Sequence, residues 1–212
     1  MKFNEFVKIY QEAPLIDSST FSLYNEKPQS LRRQVREWVK KDYLIPLKRG
    51  LYIFSSQWRK IQPSVLFMAN FLVLPSYVSL EQALGFYEII PEKVTVITSV
   101  TTKKTKIFRN LMGSFEYRSI KEDLFFGFKK ETDNNQEFFI ALPEKALLDY
   151  FYLNNHFQGD FSELESLRLQ NLETLNIKLL ESYGLKYNKR IRKIVEVLIE
   201  FVKREKGRYK RL

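Results

Sequence analysis

Hydrophobic and polar positions recur with helical spacing at both ends of the chain and in short strand-like runs in its middle. The middle runs, such as VTVITSV and GSFEYRSI, are rich in β-branched and aromatic residues, which favour strands. In chain order the pattern predicts helix from residue 3 to about 41, a hairpin over 43–54, helices over 64–73 and 79–88, strands within 94–142, a helix opened by Pro143 and Glu144, and helices from about 161 onward.

The helix predicted from Ser30 to about Lys41 has two chemically different faces. A short helix over 18–24 and a turn over 25–29 precede it, and Ser30 is the expected N-cap. The apolar arc comprises Leu31, Val35, Trp38 and Val39, and the roughly opposite arc comprises Arg32, Arg33, Arg36 and Lys40. This order is typical of a helix-turn-helix, whose second helix enters the major groove of DNA.

The segment YLIPLKRGLYIF, residues 43–54, predicts two short apolar strands joined at Lys48, Arg49 and Gly50. Its tip offers two cations to a phosphate backbone or a minor groove, as a wing does. A basic amphipathic helix alone is often only a solvated face, but the hairpin beside it favours DNA binding. We therefore predict DNA contacts by Ser30, Arg32, Arg33, Arg36, Lys40, Lys48 and Arg49.

The polar segment SSQWRKIQP, residues 55–63, ends in a proline and marks the expected domain boundary. We expect an α+β protein with an N-terminal winged helix-turn-helix domain at residues 1–58. A mixed α/β domain with a central sheet should follow at 64–212, and its last part, from about 160 to 212, should be helical.

Charge is segregated along the chain, which carries a net charge of +10. Residues 1–60 have 12 Lys and Arg against 6 Asp and Glu, residues 61–154 have 10 against 11, and residues 155–212 have 13 against 8. Two basic ends around a near-neutral middle suggest two separate surfaces for acidic partners.

Composition excludes several classes of site. The absence of cysteine excludes disulfides, Fe–S sites and thiol nucleophiles, and the single histidine, His156, excludes His-pair zinc motifs. The start lacks the apolar core of a signal peptide, and the longest apolar stretch, residues 66–74, is too short to span a bilayer. We expect a soluble cytoplasmic protein without a cofactor, a metal or a membrane partner.

No catalytic constellation stands out in the middle of the chain, and we predict no enzymatic activity. A metal-dependent nuclease, the first alternative, would need acidic metal ligands near a lysine, and Glu137, Glu144 and Lys145 are its candidates. The structural interpretation is that Glu144 lies in a helix start and that Lys145 pairs with Asp149 on the surface. A second alternative is a module that only binds another protein.

Three segments of the middle resemble a known family. They are PSYVSLEQALGFYEIIPEKVTVIT at residues 75–98, GSFEYRSI followed by FFGF, and IALPEKALLDYFYL at residues 140–153. They resemble AbiEi, the antitoxin and transcriptional-regulator component of abortive-infection systems, which are grouped with type IV toxin–antitoxin systems. The RGLYIF hairpin at residues 49–54 fits the winged helix of the same family, and the resemblance covers roughly residues 15–153.

The resemblance implies a winged-helix domain that binds inverted repeats in its own promoter and represses it. It also implies a second domain that neutralises a neighbouring nucleotidyltransferase-like toxin without needing a stable complex. Carried over by position, the operator contacts fall on Arg32, Arg33, Arg36 and the Lys48–Arg49 tip, while the Pro143–Asp149 motif stays structural. The family offers no catalytic residue to transfer.

The segment 188–206 predicts a strongly amphipathic helix with basic flanks, packed through its apolar stripe against residues 164–180. Its cations are either a solvated face or a second electrostatic surface, which would meet an acidic toxin, RNA or DNA beside the operator. On the second interpretation we assign the toxin-neutralising surface to Lys189, Arg190, Arg192 and Lys193.

Overall fold

Helices and strands alternate along the chain in a computed structural model, which describes residues 1–23 and 27–209. The α-helices are α1 (Phe3–Tyr10), α2 (Pro28–Lys40), α3 (Val65–Leu72), α4 (Leu80–Phe86), α5 (Pro143–Leu153), α6 (Phe161–Ser166), α7 (Ile177–Gly184) and α8 (Lys189–Tyr209). The strands are β1 (Ile16–Asp17), β2 (Leu44–Lys48), β3 (Leu51–Phe54), β4 (Ser76–Val78), β5 (Val96–Thr101), β6 (Lys106–Asn110), β7 (Gly113–Ser119), β8 (Phe128–Asp133) and β9 (Gln136–Ala141). Short 3₁₀ helices occupy Ser18–Leu23, Glu122–Leu124 and Leu172–Thr174.

The first 54 residues form a small antiparallel sheet, in the strand order β1–β3–β2, with α1 and α2 packed beside it. The 3₁₀ helix Ser18–Leu23 takes the place of the predicted helix over 18–24, and the Asp17 carboxylate accepts a hydrogen bond from the Ser19 amide (2.8 Å). Residues 24–26, which are the last residue of that predicted helix and the first two of the predicted turn, lie outside the described residues.

Helix α2 begins at Pro28, so the prediction that Ser30 is its N-cap was wrong. Proline suits the first turn of a helix because its fixed φ is already helical and its missing N–H would have no partner there. The two predicted faces are confirmed. Leu31, Val35 and Trp38 are buried in a cluster with aromatic residues of α1 and the hairpin. Burying side chains of this size contributes about 1.5–3 kcal/mol each.

The rest of the chain is built on a mixed six-stranded sheet in the order β6–β7–β5–β4–β9–β8. Strands β5 and β7 are parallel, as are β4 and β9, and the other pairs are antiparallel. Helices cover both faces. The Tyr117 hydroxyl donates to the Ala69 carbonyl of α3 on one face, and the Tyr77 hydroxyl donates to Asp149 of α5 (2.9 Å) on the other. The chain is therefore α+β with a mixed sheet, as expected.

The C-terminal helices complete the larger core. Helix α8 buries the whole predicted stripe against α5, α6, α7 and the 3₁₀ helix Leu172–Thr174. The stripe comprises Ile191, Ile194, Val195, Leu198, Phe201 and Val202. Among the described residues, none of the helices is both long enough and apolar enough to cross a membrane.

The hairpin β2–β3 contributes to two hydrophobic clusters. Leu44 and Phe54 belong to the N-terminal cluster, whereas Leu47, Leu51 and Ile53 belong to the large cluster around the six-stranded sheet. Gly50 makes the turn between the strands with a φ of +85°, a value that favours glycine. The hairpin is thus an element through which the N-terminal unit packs on the rest of the protein.

Candidate nucleic-acid interface

The outer face of α2 presents cations without covering groups. Arg32, Arg33, Arg36 and Lys40 are all exposed, and so is Ser30. Within the described part of the chain, the contacts of these arginines are weak: the Arg36 Nε lies 3.4 Å from the Arg32 carbonyl oxygen. Arginine is suited to bidentate contact with phosphate or guanine, and side chains without partners keep that capacity.

The single carboxylate on this face, Glu37, is neutralised locally. Its carboxylate accepts a hydrogen bond from the Lys40 ammonium (3.0 Å), and this contact holds the pKa of Glu37 below its usual range. Lys40 is therefore partly compensated, whereas Arg32, Arg33 and Arg36 have no ion-pair partner among the described residues. These three arginines set the positive potential of the face.

The two cations at the hairpin tip have different environments. Arg49 is exposed. The Lys48 ammonium instead donates to the Phe71 and Leu72 carbonyl oxygens (2.9 Å each), at the C-terminal end of α3. A cation there satisfies carbonyl groups that have no partner within the helix. Burial lowers the pKa of Lys48. Lys48 thus holds the hairpin against α3, and of the two tip cations only Arg49 is left with an uncommitted charge.

A second basic strip lies beside the hairpin and was not predicted from the sequence. It comprises the exposed residues Lys103, Lys104, Lys106 and Arg109, on β6 and the turn before it. The Asn110 side chain donates to the Leu47 carbonyl oxygen (3.3 Å), so β6 lies next to β2. A signal was present, because no acidic residue occurs between Lys93 and Glu116. Lysines also protect exposed edge strands from pairing, and β6 is an edge strand.

The Pro143–Asp149 motif forms a buried polar network. The Lys145 ammonium pairs with Asp149, and both side chains are fully buried. The pairing was predicted, but its location on the surface was wrong, because α5 packs under α7 and the start of α8 as well as on the sheet. Asp149 also accepts hydrogen bonds from the Tyr77 and Ser79 hydroxyls (2.9 and 2.8 Å). Lys145 further donates to the Tyr187 hydroxyl (2.9 Å).

The residues considered for a nuclease are occupied elsewhere. Glu137 is exposed on β9 and pairs with Lys130 of β8 (3.0 Å). Glu144 is buried, and its carboxylate accepts a hydrogen bond from the backbone N–H of Asn176 (2.7 Å). Across residues 1–23 and 27–209, no group of three or more Asp, Glu, His or Cys residues is placed to hold a metal ion. These contacts give the two glutamates structural partners rather than a shared site.

The predicted C-terminal surface divides into two kinds of residue. The Arg190 guanidinium donates to the carbonyls of Phe157 and Phe151 (2.8 and 2.9 Å), and Arg192 donates to those of Tyr187 and Leu185 (2.9 and 2.7 Å). Both arginines therefore join segments of the fold. The exposed residues Lys189 and Lys193 have no ion-pair partner among the described residues.

No protein-family model and no curated protein matches this chain. The functional argument therefore starts from the geometry of the side chains. The strongest feature is the uncompensated arginine face of α2, flanked by Arg49 and the basic strip of β6. A surface of this chemistry fits a polyanion.

Proposed function

We propose that this protein is a sequence-specific DNA-binding repressor that also acts as an antitoxin. The observation that carries the DNA-binding part is the exposed face of α2, on which Arg32, Arg33 and Arg36 have no ion-pair partner among the described residues. Specific binding needs cations for phosphates together with donors for base edges, and arginine supplies both.

The order of elements around α2 supports this proposal. Helix, strand, short helix, helix and two-stranded hairpin follow one another, and the first strand pairs with the last one, β3. A winged helix has this order, and it presents the second helix of its helix-turn-helix, the one just before the hairpin, to the major groove. On this proposal, Arg32, Arg33 and Arg36 contact bases or phosphates in that groove, and Arg49 contacts the backbone beside it. Lys48 positions the hairpin through its bonds to α3.

The test is a binding titration on the DNA just upstream of the protein's own start codon. A scrambled duplex of equal length serves as competitor, and the titration is repeated across a salt series. We expect the upstream duplex to bind much more tightly at physiological salt, because specific complexes exceed nonspecific ones by about 10³-fold or more. Equal binding of both duplexes that disappears with salt would refute sequence-specific recognition.

Two variants separate the contribution of α2 from net charge. Arg36→Ala should weaken binding to the specific duplex by about 1–3 kcal/mol if Arg36 contacts a base. Lys8→Ala removes one exposed charge from α1 of the same unit and should leave affinity nearly unchanged. If Arg32→Ala and Arg36→Ala both retain full affinity, α2 is not the recognition helix.

The basic strip of β6 is tested by the salt dependence of binding. A phosphate contact contributes about one to the slope of log affinity against log salt. Lys103→Ala with Lys104→Ala should lower that slope by about two if both residues contact phosphates. If the slope is unchanged, these lysines do not contact phosphates, and their role is to protect the edge strand β6 from pairing with another strand.

The antitoxin part of the proposal rests on the resemblance of residues 75–98 and 140–153 to AbiEi. Its test is co-expression with the neighbouring nucleotidyltransferase-like gene product, in which growth should be restored by the full chain. We propose Lys189 and Lys193 as the neutralising cations, since Arg190 and Arg192 are bound to carbonyls. Reversing both lysines to Glu should abolish rescue while DNA binding persists. Rescue by the reversed variant would remove this surface from the proposal.

A further inference from the structure

A cavity of about 500 Å³ lies beside the six-stranded sheet, on the face that α4 and α5 cover. It is bounded by the start of α4, by β5 and β7, by Tyr150 of α5 and by the loop after α6. Its apolar wall includes Leu80, Leu84, Ile90, Val96 and Leu167. Its volume and largely apolar lining are typical of sites for small molecules.

Most charged groups that line the cavity are already paired. Glu116 and Arg118 are neighbours on β7 (3.8 Å), and Arg118 also donates to the Leu153 carbonyl oxygen (3.0 Å). Glu92 forms an ion pair with Arg168. These groups therefore have little charge left for a ligand.

Among the charged lining groups, Glu81 and Lys93 have no ion-pair partner within the described part of the chain. Glu81 lies at the start of α4 and is partly buried. Lys93, the remaining cation of the lining, is exposed. Burial raises the pKa of the Tyr150 phenol, and the carboxylates of Glu81 and Glu92 raise it further. A partly buried carboxylate without a counter-ion favours a cation beside it.

We propose that this cavity binds a small amphiphilic amine, whose ammonium group pairs with Glu81 and whose apolar part lies on the leucine-rich wall. A carboxylate or phosphate ligand would face the unpaired carboxylate of Glu81, and Arg118 is committed to Glu116 and a carbonyl. Charge complementarity therefore selects the amine. This site is independent of the proposed DNA surface.

The probes are hexylamine, hexanoate and hexanol, which share a chain and differ in the head group. Binding to the full chain is measured by ligand-observed NMR titration at constant ionic strength. A ligand of this size can reach a dissociation constant of about 1 mM. We expect hexylamine to bind at least about ten-fold more tightly than the other two. Equal binding of the three probes, or no binding of hexylamine at about 10 mM, would overturn the proposal.

Variants locate the site. Glu81→Gln keeps the shape of the side chain and should weaken hexylamine binding about ten-fold. Glu88→Gln is the matched control, since Glu88 is an exposed carboxylate just beyond α4 that does not line the cavity. Leu167→Trp fills the cavity and should abolish binding, with circular dichroism confirming the fold. Full affinity in Glu81→Gln or in Leu167→Trp would also overturn the proposal.

Discussion

Replacing Asp149 by Asn tests whether the buried network of α5 is a stabilising ion pair. Asp149 is fully buried and accepts hydrogen bonds from Lys145, Tyr77 and Ser79. Asparagine keeps the size of the side chain but removes its charge. The Lys145 ammonium is then left in the core without a counter-ion, and the amide group presents donors where hydroxyls already donate.

The expected loss of stability is large. Removing one partner of a buried ion pair costs about 3–5 kcal/mol, because the remaining charge is desolvated without compensation. The total stability of a domain is about 5–15 kcal/mol, so this variant is close to unfolding. Desolvation already lowers the pKa of Lys145, and Asp149 opposes that effect. Without Asp149, the favoured response is loss of the lysine proton or entry of water.

The assay is urea unfolding followed by far-ultraviolet circular dichroism. Tryptophan fluorescence is unsuitable, since both tryptophans, Trp38 and Trp58, belong to the N-terminal cluster. The matched control is Glu137→Gln, which removes the partner of Lys130 from a pair whose side chains are 64% and 55% exposed. Exposed pairs contribute about 0.2–1 kcal/mol, so this control should change stability little.

A double variant separates the pair from its surroundings. Combining Asp149→Leu with Lys145→Met removes both charges, and replacing a buried pair by apolar groups is often nearly neutral. The double variant should therefore lose less unfolding free energy than the sum of the losses of Asp149→Leu alone and Lys145→Met alone, with a difference of about 1–3 kcal/mol. The network does not stabilise the fold as an ion pair if Asp149→Asn lowers the free energy of unfolding by less than about 1 kcal/mol, or if the losses of Asp149→Leu and Lys145→Met are additive.

Three further predictions concern the remaining buried groups. Burial raises the pKa of Tyr77 and Tyr187 above the ordinary value of 10.0. The stability that these phenols provide is complete below that pH and is lost as pH rises above it. An absorbance titration of the 12 tyrosines should therefore show a late group that ionises only on unfolding, and a single uniform transition would contradict this. Gly159→Ala should cost about 1–3 kcal/mol and lower Tm, since φ is +75° and a Cβ would lie 2.6 Å from Ile194 Cγ1; an unchanged melting curve would show that the backbone there moves freely. Arg190→Ala should lower the free energy of unfolding in urea by about 1–3 kcal/mol, because the carbonyls of Phe151, Tyr152 and Phe157 lose their guanidinium donor; no loss would mean that water replaces the guanidinium.

The spacing of apolar residues predicted the elements that have one face in the core and the opposite face in solvent. Helix α8 buries its whole predicted stripe, and helix α2 buries Leu31, Val35 and Trp38 and partly buries Val39. The five strands from β5 to β9 lie within the predicted span 94–142. Short elements were missed. Strand β4 has three residues and all are buried, so it carries no alternation, and it exists because it pairs with β5 and β9. Strand β6 is largely exposed and shows no apolar pattern.

The sequence predicted which residues form a pair more accurately than it predicted whether that pair is buried or exposed. The spacing of Lys145 and Asp149 predicted their contact on α5, but burial depends on α7 and the α8 region packing over that helix. Partners distant along the chain, such as Tyr77 and Tyr187, cannot be derived from local spacing. A buried lysine is rare unless it is paired, so charge on a helix was expected to face solvent.

Whether a lysine or arginine side chain is available to bind a polyanion depends on its hydrogen bonds as well as on its charge. The chain has 35 lysines and arginines, yet Lys48 and Arg190 donate to backbone carbonyls that would otherwise lack donors. A polyanion that recruited these two side chains would have to break those bonds, so its binding energy would be reduced by the cost of carbonyls left without donors. Arg32 and Arg33 have no such commitment among the described residues. The same residue types therefore hold the fold together at α3 and α8 and remain available for binding at α2.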